Sequence, residues 1–294
     1  MIENKAPGKD VTKEDLENKF PLASKKNKNI KIPINIAGIE FGGTTIPVMA
    51  GPNTVESREM IIKTAVSVKK SGAHILRGGA FKPLTFPYRS DKYFELRDEG
   101  LRYLEDAKNE TGLPIITEVM ETEKVKAVAE VADILQIGTR NMQNFPLISA
   151  AAKTMKPIMI KRHFGCSIRD WLGAAEYGLI ENNSKIILCE RGVSVPHTHR
   201  SSSRFLLDLQ AIPATKELTN LPIASDPSHA TFWAPWVPAM TLASIASGAD
   251  SIMLEVHPDP RNAAVDPLQP LDFQEFDTLM NKMSRIANAV NKSI

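Results

Sequence analysis

The chain has 294 residues, enough to bury a sizeable core in one large α/β domain or two smaller ones. Charged residues are 24 % and hydrophobic ones 43 %, and a net charge of +2 argues against nucleic acid or a membrane surface as partner. No apolar run is long enough to span a bilayer, and none behind Met1-Ile2-Glu3-Asn4-Lys5 could serve as a signal peptide, so a cytoplasmic protein is expected. Cys166 and Cys189 follow different predicted strands, which predicts reduced thiols rather than a disulfide framework.

Residues 1 to about 30 are polar and lysine-rich and read as an arm, helical over Lys13 to Lys19. Alternation through Ile30 to Ile36 and then Ile39 to Phe41 predicts a short hairpin that caps one end of the fold or sits in a subunit contact. From Thr45 onward short apolar runs alternate with amphipathic stretches. Ile46–Ala50 precedes Ser57–Lys70, His74–Leu76 precedes Tyr93–Thr111, and Pro114–Thr117 precedes Thr122–Val131. Ile134–Ile137 precedes Pro146–Thr154, Pro157–Ile160 precedes Ser167–Tyr177, and Lys185–Leu188 precedes Ser203–Leu218. Pro222–Ala224 before Trp236–Ser247 and Ser251–Leu254 before Asp272–Val290 finish the series. Eight strand-helix units predict a (β/α)8 TIM barrel over residues 45–294, behind an N-terminal arm and capping hairpin over 1–44. A doubly wound open sheet is the alternative, but no Gly-x-Gly-x-x-Gly follows the first strand.

Such a barrel carries its chemistry just past the strands. Arg77, Lys82, Arg140, Lys161 and Arg191 fall there, beside Glu118, His229, Glu255 and Asp266. Cations converging on one mouth repel unless an anion joins them, and guanidinium groups suit carboxylate or phosphate. The implied ligand is small and multiply anionic. His229, Glu255 and Asp266 could hold a divalent cation or form a hydrogen-bonded polar network.

Together these strand ends resemble the 3-deoxy-arabino-heptulosonate 7-phosphate (DAHP) synthase family, in its short microbial form, and the related 3-deoxy-octulosonate 8-phosphate synthases. The likeness runs from Ile39 to Phe276, through Ala50-Gly51-Pro52, Leu76 to Pro83, Gln136 to Asn141, Cys189-Glu190-Arg191-Gly192, Asp226-Pro227-Ser228-His229 and Glu255 to Pro260. The resemblance implies a transferase that condenses phosphoenolpyruvate with a sugar-type aldehyde, releases phosphate and leaves a 3-deoxy-2-ulosonate. It implies that Arg77, Lys82, Arg140, Lys161 and Arg191 bind phosphoenolpyruvate, and that Lys82, Glu118, His229 and Asn53 serve catalysis. A homodimer or homotetramer is also implied.

Two departures bear on these expectations. DAHP synthases place a cysteine metal ligand where this chain has Asn53, which cannot act as a thiolate. The expectation is an enzyme with no metal cofactor, the alternative being Mn2+ or Mg2+ held by His229, Glu255 and Asp266. The acceptor stretch Leu84-Thr85-Phe86 lacks the family's arginine for the aldehyde's phosphate, and losing such a contact costs roughly 1.5 to 3 kcal/mol. Leu84, Thr85, Phe86 and His163 are the candidate acceptor residues. Two readings stand: an acceptor other than erythrose 4-phosphate, unphosphorylated or carrying an apolar group, or a divergent DAHP synthase that recruits His163, Arg162 or Arg200. A pyruvate aldolase using Lys161 as a Schiff base and a non-catalytic phosphoenolpyruvate-binding barrel are the competing classes.

Overall fold

The computed structural model describes residues 18–30, 32–83, 95–196, 199 and 205–294. Strands β1 (Ile34–Ile36) and β2 (Ile39–Phe41) form the expected antiparallel hairpin. Its two-residue turn, Ala37-Gly38, has both φ angles positive, matching the twist of the flanking strands. The repeating region follows as β3 (Val48–Gly51), α1 (Arg58–Lys70), β4 (Ile75–Arg77), α2 (Asp98–Thr111), β5 (Ile115–Val119) and α3 (Val125–Val131). Next come β6 (Ile134–Ile137), α4 (Phe145–Lys153), β7 (Ile158–Lys161), α5 (Ile168–Leu179) and β8 (Ile186–Glu190). After the short antiparallel pair β9 (Val193–Ser194) and β10 (Phe205–Leu206) come α6 (Ala211–Leu218), β11 (Ile223–Ser225), α7 (Pro227–Thr231), α8 (Val237–Ala246), β12 (Ser251–Glu255) and α9 (Phe273–Ala289). Among the described residues β3 to β8, β11 and β12 close a parallel barrel, sealed where Ile252 to Glu255 pair with Val48 to Gly51.

The side-chain period of two sorts each strand. Residues such as Ala50, Leu76, Leu135, Ile160, Leu188 and Leu254 point outward and bury under the helices. Their neighbours Met49, Ile75, Ile116, Ile134, Met159, Ile187 and Met253 point inward and meet Ile34, Ile36 and Phe41. The hairpin therefore plugs the bottom of the barrel, and burying Phe41 there is worth about 2 kcal/mol. Local signals fix the helix starts: Ser57 accepts from Met60 N–H at 3.1 Å, and Ser167 with Asp170 and Asp272 with Glu275 make capping boxes. Gly51 is required by space, since a Cβ there would lie 2.1 Å from the Arg77 carbonyl oxygen.

Three expectations change. The helix anticipated over Ser203–Leu218 begins only at Ala211, because Asp208 accepts the Ala211 N–H at 3.1 Å and caps it, while Phe205 and Leu206 are extended against β9. The helix anticipated from Tyr93 starts at Asp98; Glu95 is held out of it by the Lys82 N–H, 2.6 Å from its Oε1, and Arg97 has φ +50°. The arm is not all solvated: the N–H groups of Leu22 and Ala23 donate to Glu176 at 2.9 and 2.8 Å, and Ala23 is buried. Of the arm helix, Asn18 and Lys19 are helical and the rest lies outside the described residues. Both cysteines are free, and no helix among the described residues is long and apolar enough to cross a membrane.

Candidate active site

Two residues beyond the inward apolar layer, the barrel interior becomes polar. Ile75 is followed by Arg77, Ile116 by Glu118, Ile134 by Gln136, Met159 by Lys161, Cys189 by Arg191, Ala224 by Asp226 and Met253 by Glu255. Each step climbs about 7 Å towards the strand ends. All seven polar residues are buried; Arg77, Glu118, Gln136, Lys161 and Arg191 line the floor of one cavity at the strands' C-terminal mouth, with Asp226 against Lys161 and Glu255 against Arg77.

The centre of the floor is an ion pair. Lys161 Nζ lies 2.6 Å from Asp226 Oδ2, with the pair 4 % and 0 % exposed. Asp226 also caps α7 by accepting the His229 N–H at 3.2 Å, and its Oδ2 lies 2.9 Å from His229 Nδ1. A carboxylate can only accept here, so Nδ1 carries the proton and Nε2 faces Glu255 Oε2 at 3.8 Å. Burial pushes His229 well below its usual pKa, which keeps the ring neutral. Burial opposes the charge on Asp226, but the Lys161 ammonium and the hydrogen bond from His229 outweigh it and hold the carboxyl well below the usual range.

Glu255 stands on the other side of His229. Gln269 Nε2 donates to its Oε2 at 2.6 Å, and Arg77 Nη1 lies 3.6 Å from the same oxygen. Burial raises its carboxyl to about 7, with Arg77 opposing and Asp266 adding to the rise. Its other oxygen has no partner among the described residues, which suits a protonated carboxyl.

Lys82 folds back to donate to Asn53 Oδ1, and Asn53 Nδ2 donates to Asp266 Oδ2 at 3.0 Å. Because ammonium only donates, the amide oxygen must face Lys82 and the amide nitrogen Asp266. Burial depresses the Lys82 pKa; Glu118 opposes this and Arg77 adds to it. Glu118 is held by Gln136 at 3.0 Å over Gly138, where a Cβ would come within 1.9 Å of its Oε1.

Arg191 lies under Phe205, its guanidinium carbon 4.3 Å from the ring centre. Its placement depends on a clamp behind it. Arg162 Nη1 reaches Glu190 at 2.9 Å and Asp208 at 2.8 Å, while Glu190 accepts the Gly192 N–H at 2.7 Å. Arg162 is thus spent on structure and is not available to an acceptor's phosphate. Arg140 stands exposed at the mouth.

The cavity brings together Asn53, Arg77, Lys82, Glu118, Arg140, Lys161, Arg191, His229 and Asp266, with Glu255 in contact behind. Leu84, Thr85, Phe86 and Arg200 lie outside the described residues. His163 packs on Phe164 at 4.2 Å, and it is Phe164 that lines the wall. Burial, then Arg140 and Arg191, lower the His163 pKa. Residues with no expected role are Gln136, Phe164 and Phe205; Asp226 is recognisable at a strand end but not as the partner of Lys161. Gln136 could have been found from its place two residues after inward Ile134.

Among the described residues no group of three His, Cys, Asp or Glu side chains is arranged to hold an ion. Asp266 accepts a hydrogen bond from Asn53 and Glu255 one from Gln269.

Comparison with known proteins agrees with this geometry. The model of the DAHP synthetase I family matches residues 24–292. The chain is 40 % identical over 275 residues to phospho-2-dehydro-3-deoxyheptonate aldolase of Thermotoga maritima, covering 94 % of this chain and 80 % of that protein. It is 26 % identical over 283 residues to 2-dehydro-3-deoxyphosphooctonate aldolase of Koribacter versatilis, covering 88 % and 97 %. Among solved structures, the truncated form of 3-deoxy-D-arabino-heptulosonate 7-phosphate synthase from Thermotoga maritima superposes with a TM-score of 0.85 at 38 % identity, over 94 % of this chain and 99 % of that one. The chain belongs to the DAHP synthetase I family.

Proposed function

We propose that the protein is a transferase that joins phosphoenolpyruvate to an aldehyde, giving a 3-deoxy-2-ulosonate and phosphate. The observation that carries this reading is at the floor: Arg77 and Arg191 each keep a buried Nη1 with no hydrogen-bond partner among the described residues, and both line the cavity with Lys161 and Arg140. Buried donors of this kind call for an anionic acceptor. A ligand with a carboxylate and a phosphate supplies two.

On this reading C3 of phosphoenolpyruvate attacks the aldehyde carbon, and Lys82 gives its proton to the aldehyde oxygen. Its burial makes it the stronger acid this step needs. Water then adds at C2, its proton passing to Glu118 and back to Lys82, and the hemiketal phosphate loses inorganic phosphate. The preorganised cations stabilise charge at C2 and on the leaving phosphate. No step is assigned to a metal, because Asn53 bridges Lys82 and Asp266 where a thiolate ligand would stand. We further propose an acceptor site altered from that for erythrose 4-phosphate, and a cytoplasmic homodimer or homotetramer, the latter tested by light scattering.

The test is phosphate release from phosphoenolpyruvate, with and without aldehyde, by chelator-treated protein. Aldehyde-dependent release without added metal is expected. Release only after Mn2+ or Mg2+ is restored would overturn metal independence, and failure to bind phosphoenolpyruvate would overturn the reading altogether. Trapping of pyruvate on Lys161 by borohydride would favour an aldolase; the ion pair with Asp226 speaks against a free amine there.

A further inference from the structure

The cavity changes character with height. Its floor, carried on the strands, is charged, whereas the loops above it bring Phe164, Phe205, Phe232 and Val265 to the wall. Phe164 and Phe205 pack on each other at 5.5 Å between ring centres, and Gly192 lets Phe205 approach: a Cβ on Gly192 would lie 3.0 Å from that of Phe205. All three aromatics are half-buried, so each keeps surface for a ligand to cover.

Phe232 is the informative one. It closes α7 in the left-handed region, with φ +53° and ψ +23°. That conformation suits Gly or Asn and is an outlier for a bulky ring. Strain held at a cavity wall points to a use for the side chain.

Charge leads to the same place. Among the described residues five cations, Arg77, Lys82, Arg140, Lys161 and Arg191, meet four carboxylates, those of Glu118, Asp226, Glu255 and Asp266. The surplus is about one positive charge, or about two with Glu255 protonated, and phosphoenolpyruvate, whose carboxylate adds to a phosphate of about −1.5 to −2, already exceeds it. A second phosphate in the same cavity would add to an excess of negative charge. It would also have to sit beside aromatic faces.

Resting on the proposed condensation, we infer that the acceptor is an uncharged aldehyde whose carbon face lies against Phe164, Phe205 and Phe232, with Phe232 setting the selection against phosphorylated aldehydes.

The experiment compares matched acceptors, D-erythrose with its 4-phosphate and D-glyceraldehyde with its 3-phosphate, by kcat/KM for phosphate release. Phosphoenolpyruvate binding is measured separately by calorimetry. The wild type should favour the uncharged member of each pair at least tenfold. Phe232→Gly and Phe232→Asn fit the left-handed backbone, so both should fold, and the preference should fall about tenfold in each. Preference for the phosphorylated members overturns the inference, and so does an unchanged ratio in folded variants. Binding of phosphoenolpyruvate without release from any of the four also overturns it while sparing the donor site. Absence of binding defeats the proposed function itself.

Discussion

Replacing either member of the Lys161–Asp226 pair tests whether the floor is held by charge. Asp226→Asn keeps the cap on α7, because an amide oxygen can still accept the His229 N–H, but it leaves a buried ammonium without a counter-ion. Lys161→Met does the converse. Breaking a buried pair from one side costs about 3 to 5 kcal/mol, so each variant should lose that much stability at neutral pH. The double variant leaves neither charge stranded, and its loss should fall short of the sum by about 2 to 3 kcal/mol. The assay is urea unfolding followed by far-UV circular dichroism, where a loss of this size moves the midpoint by about 1 M or more. Additive losses, or a cost for Lys161→Met below about 1 kcal/mol, would refute the reasoning and mean that water already screens the pair.

Gly138→Ala should leave the fold largely intact but force Glu118 off Gln136, because the new Cβ would lie 1.9 Å from Glu118 Oε1; activity should fall about 100-fold with a melting temperature lower by only several degrees, as kinetics and calorimetry would show. Burial raises Glu255 to about 7 from 4.5, so the folded chain holds a proton the unfolded chain has lost, and stability falls as pH rises across that window, by up to about 3 kcal/mol. The difference in unfolding free energy between wild type and Glu255→Gln should show that slope below about pH 7 and be flat above; a flat difference throughout would contradict it. Arg162→Met strands buried Glu190 and should cost about 3 to 5 kcal/mol in urea unfolding while raising KM for phosphoenolpyruvate through the loosened Arg191 turn. Arg162→Lys should recover part of the loss, since one ammonium can meet Glu190 and Asp208 but not also the Cys166 carbonyl, which Arg162 Nε reaches at 3.2 Å.

The barrel was legible because each strand repeats one local pattern, an apolar run between turn residues, and because polar residues cluster where those runs stop. The cations of the floor were legible for the same reason: Arg77 and Lys161 end strands, and Arg191 follows one. What joins them was not. Lys161 and Asp226 are 65 residues apart, and Gln269 reaches Glu255 from a loop with no pattern of its own. Apolar residues at Phe205, Leu206, Leu209 and Ile212 mimic a helical face, yet the backbone there obeys Asp208, whose capping role depends on tertiary contact with Arg162. That the hairpin caps the barrel could not be read from alternation alone; its packing on the inward ring of Met49, Ile75 and Met253 shows it. The left-handed backbone at Phe232 leaves no trace in the residue type.

Carbon NMR of phosphoenolpyruvate labelled with 13C at C3, incubated with the protein and an aldehyde mixture, tests the central claim most directly. Condensation predicts that the labelled vinyl carbon becomes a methylene bonded to the former aldehyde carbon, in step with phosphate release. Label recovered only as the methyl group of pyruvate, or left in phosphoenolpyruvate, would contradict it.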